Sequence, residues 1–177
     1  AGTFDAYNTD FMYIIDNTKN HLNKTDMSSG LYTDISKCHL LTNHIWTGLE
    51  IDRTSNVMYA VSARYNMIES QLYTIDMNTG ATTEIGSLGI NACIDIAIDG
   101  SGQMYGYDIL NDLAYKIDKA TAASTPIGYI GFDANFSQDM SWDPVTDNIY
   151  LAAYNNWTEC GELRIFEKSF RILFRRR

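Results

Sequence analysis

Apolar and polar residues alternate along several short segments of the chain. Three of these segments end in aspartate and place apolar residues at every second position, namely residues 48–52, 95–99 and 139–143. A period of two residues is that of a β-strand with one buried face, and the body of the chain lacks the 3.6-residue period of an amphipathic helix. The pattern therefore predicts an all-β protein.

The alternating segments belong to a repeat that runs through the chain. A large apolar residue followed by tyrosine recurs at intervals of 46, 46 and 45 residues, at Met12-Tyr13, Met58-Tyr59, Met104-Tyr105 and Ile149-Tyr150. Three copies also carry a turn that begins with aspartate, at residues 26–30, 76–80 and 118–122. Aspartate can accept a hydrogen bond from the backbone two residues on, which closes a hairpin. Four antiparallel strands per unit predict a β-propeller; the alternative is a β-sandwich, which requires no fixed period.

The period divides the chain into four predicted blades of four strands, at about residues 1–46, 47–92, 93–137 and 138–167. Residues 168–177 break the pattern, because they carry five positive charges and lack the expected turn. This tail is interpreted as an outer strand with a basic end, as a truncation with readthrough, or as a segment that clasps the acidic body. Four blades can close a ring, but part of a longer ring would carry the same residues. An unclosed ring would expose blade edges and favour self-association.

The sequence of the second blade resembles a known repeat. Residues 71–86 read QLYTIDMNTGATTEIG, which is similar to the "LYxIDxxTGxxTxIG" blades of bacterial and archaeal extracellular propellers. The resemblance extends from residue 1 to about residue 167. It implies a propeller that is secreted or displayed at the cell surface. It implies no activity, because propellers of this kind occur in adhesins, surface proteins, enzymes and binding modules.

The charge of the chain excludes some partners. The 13 Lys and Arg residues and 22 Asp and Glu residues give a net charge of −9. An acidic body disfavours binding to nucleic acid or to an anionic membrane surface. The chain has no run of 18 apolar residues and its first ten residues do not resemble a signal peptide, so we expect no membrane insertion, and any signal peptide to be absent or already removed.

Aromatic residues are concentrated in the loops that precede the first strand of each blade and join its second and third strands. These loops share one end of a propeller, here called the top face, and loops on a rigid scaffold often carry binding residues. The predicted ligand-binding residues are His44, Trp46, Tyr65, Phe136, Tyr154 and Trp157. Aromatic rings stack on the apolar faces of sugars, so the cluster favours a glycan or protein ligand. The alternative is that residues such as Trp46 and Phe136 only fill gaps between blades.

Three carboxylates are predicted to share the central channel. Asp95 and Asp139 occupy equivalent positions on the first strands of neighbouring blades, and Glu50 lies on the same face of its own strand. Asp95 and Asp139 are candidate ligands for a cation such as Ca²⁺. The same two residues, with Glu50 in support, are alternatively the catalytic acid and base of a glycoside hydrolase. In the third interpretation the channel carboxylates are hydrated and inactive.

The remaining reactive side chains give no recognisable motif. Cys38, Cys93 and Cys160 lack the spacing of a zinc or redox site, and one disulfide is predicted between Cys38 and Cys93. The three histidines do not form a zinc-hydrolase pattern, and no phosphate-binding or serine-hydrolase motif is present. We therefore predict a non-catalytic extracellular propeller that requires no cofactor and binds a glycan or protein on its top face. The alternatives are a glycoside hydrolase and a structural fragment of a larger propeller.

Overall fold

A computed structural model describes residues 1–66, 68–136, 138–166 and 168. These residues form fifteen β-strands in four antiparallel sheets, each a meander in which consecutive strands are neighbours. The part of the chain that the structure describes contains no helix that is long and apolar enough to cross a membrane.

Each sheet forms one blade. Blade 1 contains β1 (Gly2–Phe4), β2 (Phe11–Asp16), β3 (His21–Asp26) and β4 (Tyr32–Lys37). Blade 2 contains β5 (His44–Asp52), β6 (Val57–Arg64), β7 (Ser70–Ile75) and β8 (Thr82–Ser87). Blade 3 contains β9 (Cys93–Ile98), β10 (Met104–Asp108), β11 (Leu113–Ile117) and β12 (Ser124–Tyr129). Blade 4 contains β13 (Asp139–Asp143), β14 (Asn148–Asn155) and β15 (Cys160–Phe166).

Aspartate closes the hairpins as the sequence predicts. The Asp76 carboxylate accepts the N–H groups of Asn78 and Thr79 at 2.9 and 2.8 Å, and Gly80 completes the turn at φ 69°. In blade 3 the corresponding position is occupied by Ala122, which adopts φ 62° although it is not glycine. Left-handed backbone is costly for a residue with a Cβ atom. Ala122 is fully buried between blades, so packing stabilises the turn that glycine stabilises elsewhere.

Three hydrophobic clusters hold the blades together. One joins blades 1 and 2, the second joins blades 2 and 3, and the third joins blades 3 and 4. The repeated tyrosines Tyr13, Tyr59 and Tyr105 lie in these clusters and are 4 to 9% exposed. The first strands β1, β5, β9 and β13 pack beside one another in this order around the central channel. This arrangement is a β-propeller, which confirms the predicted fold class and excludes the sandwich.

The predicted basic tail lies mostly outside the described residues. Lys168 is described, and its ammonium lies 2.8 Å from Asp147 and 3.4 Å from Asp99 in neighbouring hairpin turns. The first residue of the tail therefore joins blade 4 to blade 3 at the end opposite the top face. The interpretations of residues 169–177 stay predictions.

Candidate functional site

A cavity of about 600 Å³ opens at the top end of the channel, where all four blades contribute residues. Its walls are largely apolar. The large apolar side chains are those of Met12, Ile14, Ile45, Trp46, Ile94, Ile109 and Phe136. The polar lining residues are Asn17, Thr47, Asp95, Asn135, Gln138 and Asp139. A mostly apolar cleft with a few polar groups is the usual form of a small-molecule site.

Asp95 lies at the boundary between three blades. It is 4% exposed, and its carboxylate accepts the Met140 N–H of blade 4 at 2.7 Å. The other carboxylate oxygen lies directly over Gly48 of blade 2, in the space where any larger residue would place its Cβ atom. The absence of a side chain at Gly48 therefore allows Asp95 to reach across the channel.

Asp139 is the solvent-exposed partner of Asp95. Both side chains line the cavity. Burial, followed by the contact with Asp139, raises the pKa of Asp95 well above that of an ordinary aspartic acid. Asp95 thus keeps its proton to higher pH than an exposed aspartic acid does.

Glu50 lies deeper in the channel and does not line the cavity. The Thr3 hydroxyl of blade 1 donates to the Glu50 carboxylate at 3.4 Å. Burial is the largest cause that raises the pKa of Glu50 to about 8. The channel therefore contains three carboxyl groups, but only Asp95 and Asp139 are in contact with the cavity.

Two of the predicted ligand-binding residues lie inside the protein. Trp46 is 1% exposed, and its ring meets Tyr73 edge-on with centroids 5.0 Å apart. His44 is 7% exposed, and its Nδ1 lies 2.9 Å from the Ser62 hydroxyl. His44 is buried and does not line the cavity, so its prediction as a residue of a solvated binding surface is wrong. Trp46 packs in the cluster that joins blades 1 and 2 but also lines the cavity, so its part in ligand binding stays a prediction.

Of the other aromatic candidates, Phe136, Trp157 and Tyr65 are in loops and Tyr154 is near the end of β14. Phe136 is 61% exposed at the cavity rim, and its ring contacts Tyr154 edge-on at 5.1 Å between centroids. Trp157 is 63% exposed and lies 6.5 Å from the ring of Tyr129, measured between centroids. Tyr65 is exposed on the β6–β7 loop and does not line the cavity. The structure thus brings Phe136 to the cavity, with Tyr154 packed against its ring, and leaves Tyr65 apart from it.

Phe136 has an unusual backbone conformation. Its φ angle is 63°, in the left-handed region that bulky residues rarely adopt. Its N–H donates to the side-chain oxygen of Asn135 at 2.8 Å. Burial does not explain the conformation, because the ring is mostly exposed. Strained positions of this kind cluster at binding and catalytic sites.

Several lining residues were not predicted from the sequence. The Asn17 amide group donates to the Trp46 carbonyl at 2.8 Å and accepts the Trp46 N–H at 3.0 Å. Gln138 accepts the Tyr107 hydroxyl at 2.9 Å and donates to the carbonyls of Asn135 and Tyr154. The repeat could have placed Asn17 on the top face, because Asn17 lies in the loop between the second and third strands of blade 1, as the β6–β7 loop does in blade 2. No motif distinguishes Gln138.

The cysteines and acidic residues form no further site. Cys38, Cys93 and Cys160 are free thiols, so the predicted Cys38–Cys93 disulfide is wrong. Cys38 follows the last strand of blade 1 and Cys93 begins blade 3, which places blade 2 between them. Within the described ranges, no group of three or more His, Cys, Asp or Glu side chains is arranged to hold a metal ion.

A comparison with protein-family models finds no match, and a comparison with curated protein sequences finds none either. Many solved structures are similar in fold. An auxiliary nutrient binding protein from Bacteroides thetaiotaomicron has a TM-score of 0.62 at 15% identity, over 93% of this chain and 40% of that chain. The PQQ-bound aldose sugar dehydrogenase from Streptomyces coelicolor has a TM-score of 0.60 at 11% identity, over 90% of this chain and 57% of that chain. The nidogen/laminin complex has a TM-score of 0.60 at 14% identity, over 83% of this chain and 58% of that chain.

These likenesses support the propeller fold and nothing more specific. This chain spans 40 to 58% of the length of these three structures. Those structures include a binding protein and a dehydrogenase, so the fold does not choose between binding and catalysis.

Proposed function

We propose that the protein is a non-catalytic extracellular β-propeller that binds a glycan in the cavity at the top of its channel. The observation that carries this proposal is the placement of Phe136. An exposed aromatic ring is held in a left-handed backbone conformation at the rim, above a pair of carboxyl groups. In this site the ring would stack on the apolar face of a sugar, and Asp139 would accept its hydroxyl hydrogens.

The charge of the cavity supports an uncharged or amino sugar over an anionic one. None of the described side chains that line it is that of Lys, Arg or His, and Asp139 is exposed to it; the Ala1 amino group also lines it and interacts with Asp95 and Asp139. An anionic ligand would therefore meet two carboxyl groups and no basic side chain. The extracellular placement rests on the resemblance of the blade sequence.

Glycoside hydrolysis has weaker support. The two carboxyl groups of a glycosidase lie roughly 5 to 9.5 Å apart, because the bond to be cleaved sits between them. Asp139 instead contacts Asp95 closely enough to raise its pKa. Asp95 is also 4% exposed, which leaves little of its carboxyl group accessible to a sugar.

A glycan array, followed by calorimetry on any hit, tests the proposal. Phe136→Asn is the informative variant, because asparagine adopts the left-handed region readily but lacks the ring. We expect it to fold normally and to weaken binding by about 1 to 3 kcal/mol. Tyr7→Ala is the matched control. Tyr7 is an exposed aromatic residue in the hairpin between β1 and β2, at the opposite end of the propeller, so binding should be unchanged.

Three results would contradict the proposal. Equal affinity in Phe136→Asn and wild type would remove the ring from the site. Cleavage of chromogenic glycosides by wild type and not by Asp139→Asn would replace binding with hydrolysis. An absence of glycan binding together with capture of a purified protein through Phe136 would assign the same surface to a protein ligand.

A further inference from the structure

Two exposed aromatic rings lie near each other across the junction of blades 3 and 4. Tyr129 ends the outer strand of blade 3, Trp157 lies in the β14–β15 loop of blade 4, and their ring centroids are 6.5 Å apart. Tyr129 and Trp157 are 44% and 63% exposed, although the junction itself is closed by the cluster that contains Phe132 and Ala134. Exposed tyrosine and tryptophan side chains are enriched where proteins contact their partners.

Two carboxylates accompany these rings. Asp133 Oδ1 accepts the side-chain amide of Asn156, the neighbour of Trp157 in the chain, at 2.8 Å. Asp112 lies in the β10–β11 loop, and its Oδ1 accepts a backbone N–H from the connection between blades 3 and 4. Burial, followed by the charges of Asp112 and Asp133, raises the pKa of Tyr129, so both carboxylates act on that side chain. Trp157, Tyr129, Asp112 and Asp133 are here called the Trp157 surface, and none of the four lines the cavity.

The Trp157 surface carries negative charge that no described residue neutralises. Neither Asp112 nor Asp133 forms an ion pair within the described part of the chain. Arg164, which lies 4.6 Å over the ring of Phe132, is paired with Glu162 instead. Burial is the largest cause that raises the pKa of Asp112, and the charge of Asp133 raises it further. A positively charged group placed between the two carboxylates would therefore relieve a repulsion between like charges.

We propose that the Trp157 surface is a docking site for an arginine side chain of a partner protein. A guanidinium group can stack on an aromatic ring and donate hydrogen bonds to carboxylates at the same time, and the Trp157 surface offers both. A lysine ammonium lacks the planar face for stacking. Contacts between a cation and a ring are stronger where water is excluded. Because both rings are largely exposed, a partner whose own surface covers them fits better than a small free cation.

An NMR titration of the full chain tests the proposal, with a capped pentapeptide of two arginines alternating with glycines as the probe. Each of the three tryptophans gives one indole N–H signal, and Trp157→Ala identifies the signal of Trp157. We expect the arginine peptide to shift this signal until it saturates. An otherwise identical lysine peptide should bind more weakly, because it can pair with the carboxylates but cannot stack in the same way.

Variants with matched controls test the parts of the surface. Asp133→Asn keeps an oxygen that can accept the same hydrogen bond, and Asp112→Asn suits the left-handed backbone at φ 55°. Each should weaken binding of the arginine peptide by about two- to fivefold. Asp10→Asn removes one charge from an exposed position in the β1–β2 hairpin and should leave binding unchanged. Tyr129→Ala should also weaken binding by about two- to fivefold, whereas Tyr65→Ala, at another exposed ring, should not.

Four results would overturn the proposal. A Trp157 signal that the arginine peptide does not shift would remove the site. Equal affinity in Asp112→Asn, Asp133→Asn and Asp10→Asn would show that the peptide responds only to net charge. Loss of the shift in Asp139→Asn would place the peptide in the cavity. A lysine peptide that binds as tightly as the arginine peptide would refute the preference for a guanidinium group. Dispersed backbone signals in each variant check that it is folded.

Discussion

Gly48 is the residue at which the packing around the candidate site can be tested most directly. A Cβ atom at this position would lie 2.9 Å from the Asp95 Cα atom and 2.9 Å from Val61 Cγ2, and it would overlap the Asp95 carboxylate. All three residues belong to strands in the interior of the propeller, so none can move away without displacing a neighbour. Gly48→Ala should therefore destabilise the protein although it adds a single methyl group.

The expected magnitude follows from two opposing effects. Inserting a methyl group into a packed interior costs about 1 to 3 kcal/mol. Replacing glycine by alanine restricts the unfolded chain and returns about 0.4 to 1 kcal/mol. Because the crowding involves backbone and a buried carboxyl group, we expect the upper part of the first range and a net loss of about 2 kcal/mol. For a chain of this length, that loss lowers the unfolding temperature by about 4 to 8 °C.

Urea unfolding monitored by tryptophan fluorescence measures the effect. Gly161→Ala is the matched control, because a Cβ atom there meets nothing within 4 Å. This control should be unchanged or slightly more stable. If Gly48→Ala unfolds at the same urea concentration as wild type, the close approach of Asp95 to blade 2 is wrong. The position of the Asp95 carboxylate, which accepts the Met140 N–H, would then also be wrong.

Three further predictions concern other residues of the channel and the core. Burial raises the pKa of Glu50 from 4.5 to about 8. Between these two pH values the folded state keeps a proton that the unfolded state has lost, so the free energy of unfolding should fall as the pH rises from 4.5 to about 8. Glu50→Gln removes this contribution, so urea midpoints measured at about pH 5 and pH 8 should differ less than in wild type, and an unaltered difference would contradict the assignment. Trp46→Ala should lower the free energy of unfolding by about 3 to 5 kcal/mol, because it leaves a cavity at a buried position. Trp157 is exposed, so Trp157→Ala should change the free energy of unfolding by no more than about 0.5 kcal/mol. Similar losses in both variants would contradict the burial of Trp46. Binding of Ca²⁺ by Asp95 and Asp139 stays a proposal; a rise in unfolding temperature with Ca²⁺ should disappear in Asp139→Asn, and a rise that survives there excludes the pair as its site.

Local patterns in the sequence were sufficient to predict the repeat. The alternation of apolar residues and the aspartate-led turns depend on contacts within one hairpin, such as the bonds from Asn78 and Thr79 to Asp76. Such contacts join residues a few positions apart, so they are visible in any single copy. The 46-residue period then identified the propeller, because only a repeated blade requires it.

Part of the candidate site could also be placed from the sequence. Asp95 and Asp139 occupy equivalent positions in consecutive repeats, which puts both on first strands facing the channel. The position of the Asp95 carboxyl group could not be predicted, because it depends on the missing side chain of Gly48 and on the Met140 N–H from the next blade. Each of these contacts joins residues of different blades.

The sequence by itself determined the strands, their turns and their grouping into blades, since these follow from interactions between near neighbours in the chain. Only the tertiary structure decided which face of each blade is covered. Trp46 was predicted to lie on the top face and Leu163 lies in a strand, yet Trp46 is buried against blade 1 and Leu163 is exposed. The physical reason is that burial depends on the adjoining sheet, and the local pattern of a strand carries no record of whether that sheet is present.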